Sequence, residues 1–132
     1  SVLDWTENER DGHAGILTLY RELLRLRHRH PAFSQPRREE FGVMAAGEGA
    51  IAMRRTAGDG AEALAIVNLL GEIRLDPLAL EIGKLGGDEV WAPILVSEDP
   101  QFGGDGGWGR AEASGTVHLV GPCAIVFERQ QR

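Results

Sequence analysis

The chain has 132 residues, 42% hydrophobic and 26% charged, enough for one modest domain with its own core. Its formal net charge of -6 argues against a general nucleic-acid or anionic-membrane binder, which needs concentrated positive charge, and no apolar run reaches the roughly 18 residues of a membrane-spanning helix. A single cysteine, Cys123, excludes an internal disulfide framework and a multi-cysteine zinc site.

Residues 4–11 are polar apart from Trp5 and read as an extended lead-in, with Asp11 as a helix cap and Trp5 packing against a larger body. From His13 the helical period is clear. Ile16, Tyr20, Leu23 and Arg27 follow the three-to-four spacing, and Leu17, Leu19, Leu24 and Leu26 widen the stripe. That width predicts a helix packed on something extensive. Ile16, Tyr20, Leu23 and Leu24 are its candidate packing face, open to another body or a second copy. Cations collect at its C-terminal end, as the helix dipole favours, and His30-Pro31 stops it. The basic run from Arg25 to His30 reads as a solvated helix rim.

After Pro31 the period changes to short apolar runs separated by turns. Strands are predicted at 41–46 and 50–55, a hairpin around Gly47-Glu48-Gly49. The most apolar segment, 63–70, is expected to be a central strand covered on both faces. Further strands are expected at 73–75, 79–82, 90–96, 117–120 and 124–128, with Pro93 indicating an edge or a bulge. The glycine-rich stretch 98–114 reads as a long loop. The predicted fold class is mainly β: an antiparallel β-sandwich over 34–132, preceded by a lead-in and one amphipathic helix over 1–33.

Chemistry is sparse. Gly103-Gly104-Asp105-Gly106-Gly107 lacks the lysine and helix of a phosphate-binding loop. His28 and His30, two apart on a helix, do not face one another, and the acids at 88, 98, 99 and 105 match no calcium-loop spacing. Neither a metal nor a cofactor is expected. Cys123, in an apolar run, reads as a buried small hydrophobe. Trp108, in the glycine loop, is a candidate sugar or interdomain contact, with a loop anchor as the plainer alternative. Trp91 is a second candidate for such a contact, and its place in a strand favours the core.

Several segments carry a resemblance. Leu3-Asp4-Trp5, His13-Ala14, the run from Leu19 to Arg27 and His30-Pro31-Ala32-Phe33 resemble the stretch that closes the catalytic barrel in the α-amylase family of glycoside hydrolases. Ala65-Ile66-Val67-Asn68-Leu69, the segment from Leu95 to Gly104, and the segment from Leu119 to Val126 resemble strands and a turn of that family's C-terminal β domain. The resemblance implies that the helix is the eighth of a (β/α)8 barrel. It implies a parent acting on α-glucan, hydrolysing the α-1,4 bond beside a terminal trehalose. The family's catalytic carboxylates sit on earlier barrel strands, so no catalytic residue is carried onto this chain. The alternative is a free-standing carbohydrate-binding or interaction module. The default location is cytoplasmic, with the missing barrel or a second copy as partner, α-glucan as a further candidate, and neither nucleic acid nor membrane.

Overall fold

The computed structural model describes residues 4–10, 13–106, 108–110 and 115–132, excluding the side chains of 7, 8, 36–40 and 108–110. The expected Asp11 cap lies outside the described residues. The lead-in is a 3-10 turn over Trp5–Glu9 rather than extended chain. The Asp4 carboxylate accepts the Thr6 backbone N–H at 3.0 Å and the Thr6 hydroxyl at 2.6 Å, which starts the turn.

Helix α1 spans His13–Arg29. His30 is extended, with φ -83° and ψ 121°, as a residue before proline must be. It also caps the one-turn helix α2, Pro31–Ser34, through a ring nitrogen that accepts the Ala32 N–H at 3.2 Å. Proline is tolerated at the start of α2 because its missing donor has no role there.

Eight strands follow among the described residues: β1 Pro36–Ala45, β2 Ala50–Ala57, β3 Glu62–Asn68, β4 Ile73–Leu75, β5 Glu89–Val96, β6 Trp108–Arg110, β7 Val117–Leu119 and β8 Cys123–Gln131. They form a five-stranded sheet in the order β1-β2-β3-β8-β5 and a three-stranded sheet in the order β4-β7-β6. Every pairing is antiparallel. The protein is therefore mainly β, with antiparallel sheets and one long helix.

Two further expectations about local structure fail for identifiable reasons. Residues 79–82 do not form a strand, because 3-10 turns at Pro77–Ala79 and Glu81–Gly83 occupy the segment. Asp76 accepts the Leu78 N–H at 2.9 Å, and Pro77 fixes φ, so the backbone is committed to a turn before Leu80 is reached. The stretch 98–114 is not all loop. It contains a 3-10 turn, Pro100–Phe102, and β6, which pairs with β7.

The larger sheet separates two apolar clusters. On one face, Leu64 and Ile66 of β3, Trp91 of β5, and Ile125 and Phe127 of β8 meet Ala52 of β2 and Val117 and Leu119 of the smaller sheet. Each large side chain buried there contributes about 1.5–3 kcal/mol. On the opposite face, Val126 and Leu95 join Phe102, packed by Leu19 and Leu26 of α1 and Phe33 of α2. Strand β3 lies between β2 and β8 and serves both clusters, Leu64 and Ile66 on one side and Ala65 on the other. This is the doubly covered central strand expected from its composition.

Pro93 also behaves as its position predicts. Strand β5 is an edge strand, and its register against β8 shifts between Pro93 and Leu95, leaving Ile94 as the extra residue.

Candidate functional site

Helix α1 is seated on the sheet by one flank only. Gly15 permits the contact. A Cβ at that position would stand 2.6 Å from the backbone carbon and oxygen of Phe102, so only glycine lets the helix rest on the Pro100–Phe102 turn. That turn is firmly built. Asp99 accepts the Gln101 N–H at 3.0 Å, Phe102 is buried, and Gly103 closes the turn with φ 83°, a left-handed conformation. Leu19 and Leu26 then reach the second cluster.

The helix stripe thus divides. Ile16, Tyr20, Leu23 and Leu24 are between 40 and 62% exposed, and no residue of α1 is buried. Trp5, before the helix, is exposed as well.

The neighbouring half of the sheet is also open. Met44 and Ala52 belong to the first cluster, so strand alternation turns Phe41, Val43, Ile51 and Arg55 to the face that carries α1. Phe41, Val43 and Ile51 are between 41 and 53% exposed. The Arg55 guanidinium lies 5.7 Å from the Phe41 ring centroid, across the pairing of Phe41 with Arg55. Between helix and sheet runs a groove of about 360 Å³, lined by Leu23, Leu26, Arg27, Phe33, Arg55 and Val126. Leu23 belongs to both the exposed stripe and the groove. Helix flank, groove and open sheet therefore form one continuous trough.

Within the groove, the Nε of Arg55 is buried and has no hydrogen-bond partner. A buried donor without an acceptor is costly, so the atom is notable.

On the other flank of the helix is a second groove, of about 430 Å³. It contains Glu62 and Glu128, and each carboxylate already has a side-chain partner. Glu128 bonds His30 at 3.2 Å, and Glu62 bonds Arg54, with Arg129 at 3.5 Å. This arrangement clamps the helix end and strands together. It does not leave two carboxyl groups facing an open subsite, which glycoside hydrolysis needs.

Trp91 is 2% exposed, with its indole N–H donated to the Gly83 carbonyl at 2.7 Å and the Arg54 guanidinium 5.4 Å from its ring. It presents no face to a ligand. Trp108 lies in β6 by its backbone, and its side chain lies outside the described residues. Cys123 is buried, and burial pushes its thiol up from the usual range. Thr6 holds the exposed Asp4 carboxyl below its usual value by hydrogen bonding. His118 bonds Glu72 at 2.6 Å on the smaller sheet. Among the described residues no three His, Cys, Asp or Glu side chains cluster as metal ligands.

The sheet half of the trough was missed by sequence reasoning. Its signal was present, since Phe41, Val43 and Met44 make β1 apolar on both faces. Nothing in the sequence distinguishes Arg55 from Arg54, which bonds the Ile82 and Lys84 carbonyls.

No protein-family model matches the chain, and no curated protein matches it.

Proposed function

We propose that this chain is the non-catalytic C-terminal part of an α-glucan-acting glycoside hydrolase of the α-amylase family. On this reading α1 is the last helix of the parent's (β/α)8 barrel, and the two sheets form the β-sandwich domain after it. The parent is a malto-oligosyltrehalose trehalohydrolase, hydrolysing the α-1,4 bond next to the terminal trehalose of maltooligosyltrehalose in cytoplasmic trehalose formation.

The observation that carries the reading is the trough. A helix in the outer ring of a barrel must pack on neighbours along a broad face. Here Leu19 and Leu26 are taken by the β domain, while Ile16, Tyr20, Leu23 and Leu24 are left for another body. Contiguous exposed apolar surface of this kind marks an interaction face. The sequence resemblance names the body.

Two measurements test the proposal. The source reading frame is expected to encode about 200–400 residues of barrel directly upstream. An unrelated upstream region overturns the assignment. The 132-residue chain, incubated with maltooligosyltrehalose, is expected to release no trehalose. Release would place catalysis within these residues and sink the non-catalytic role.

A further inference from the structure

We infer that the groove between α1 and β2 seats a protein segment that carries a carboxylate beside a large apolar side chain, with the carboxylate received by Arg55 and Arg27. The inference rests on reading the trough as a docking face and adds the chemistry of the docked segment.

The groove's own lining decides that chemistry. Leu23, Leu26, Phe33 and Val126 supply apolar walls, and the two polar members are both cations. Among the described residues no acid lines it. The Arg55 Nε is an unsatisfied buried donor, held in place as its guanidinium lies over Phe41. A carboxylate is the acceptor that a guanidinium fork matches best, and apolar walls strengthen the pairing by excluding water. A purely apolar occupant would remove two cations from water without a partner.

The same charges disfavour a second copy. Helix α1 carries Arg21, Arg25, Arg27 and Arg29 against one acid, Glu22. A two-fold contact through the stripe would bring like-charged helix faces together. The occupant is therefore a different surface with a net acidic contribution.

The test uses the whole 132-residue chain and a capped amphipathic peptide, leucine-faced with one glutamate inside that face. The Arg55 Nε–H resonance and the Leu23 and Val126 methyl resonances are followed by NMR. The glutamate peptide is expected to shift all of them, and its glutamine twin to bind about tenfold more weakly. Arg55→Met is expected to weaken the glutamate peptide by about the same factor while keeping or raising the chain's thermal midpoint, since it removes a buried unsatisfied donor. Arg55→Lys, which keeps charge and loses the fork, is expected to fall between.

Equal affinity for the two peptides, or no shift at millimolar peptide, overturns the inference. So does a lowered midpoint for Arg55→Met, which would make Arg55 a packing element of the isolated chain. Tighter binding of 4-phenylbutyrate than of the peptide would make this a small-carboxylate site and also overturn it. A concentration-dependent shift without peptide would assign the groove to a second copy. Any of these results leaves the upstream barrel and the trehalose assay standing, so the two readings fail separately.

Discussion

His30 donates from Nε2 to a carboxylate oxygen of Glu128 at 3.2 Å, while its Nδ1 accepts the Ala32 backbone N–H at 3.2 Å. One neutral tautomer makes both bonds, so one ring ends α1, starts α2 and ties both to β8. His30→Ala is expected to cost about 1–2 kcal/mol in urea unfolding. His30→Asn is expected to recover part of that, because an asparagine oxygen can still cap α2. If both variants lose equally, the cap contributes nothing and the Glu128 bond carries the effect.

Gly15→Ala sets two forces against each other. Alanine favours a helix interior over glycine by about 1 kcal/mol. The added Cβ, however, would meet the Phe102 backbone at 2.6 Å, and backbone cannot yield as a flexible side chain does. The helix must lift, loosening Leu19 and Leu26. A net loss of about 1–3 kcal/mol is expected, measured by denaturant midpoint. Net stabilisation would show that the helix is not seated on that turn.

The two flanks of α1 are expected to respond oppositely to polar substitution. Tyr20→Ser and Leu24→Ser, on the exposed flank, are expected to stay within about 0.5 kcal/mol of the parent. Leu26→Ser, which faces Val126 and Phe33, is expected to cost about 2–4 kcal/mol. Similar losses on both flanks would mean that the stripe is covered in solution, by self-association visible in sedimentation.

Trp91→Phe removes the bond to Gly83 and leaves that carbonyl facing a cavity. A loss of about 1–3 kcal/mol is expected. A neutral result would mean that a water replaces the indole N–H without cost.

Burial raises the Cys123 thiol, so less thiolate exists near pH 8 than for a free cysteine. Alkylation of the folded chain by iodoacetamide is expected to be at least about tenfold slower than in urea. Rates that match would place the sulfur at the surface.

Much of the fold is legible in local chemistry. The stop at His30-Pro31, the hairpin at Gly47, the doubly apolar β3 and the irregularity at Pro93 each follow from one or two residues whose backbone preferences are strong. The misses have a different origin. Strand β6 is a short segment flanked by glycine, and it becomes a strand because β7 lies beside it. The segment 79–82 has strand-like composition, but Asp76 and Pro77 commit the chain earlier. The candidate site was half legible for the same reason. Helical periodicity reports the total width of an apolar stripe. It does not say that Leu19 and Leu26 find the sheet while Ile16 and Tyr20 do not. That division depends on Gly15 meeting a turn more than eighty residues away, a contact no local pattern encodes.

The bulge at Ile94 bears on how this protein can meet others. A free sheet edge is an invitation to add strands, through an unbroken row of backbone donors and acceptors. Along β5, Pro93 removes a donor and the extra residue throws the ladder out of step. The molecule can therefore carry a wide greasy face without offering that edge as a template for aggregation. At the Pro93–Leu95 stretch contact falls to side chains, a mode of recognition that a mutation can tune, rather than to backbone, which reads no sequence at all.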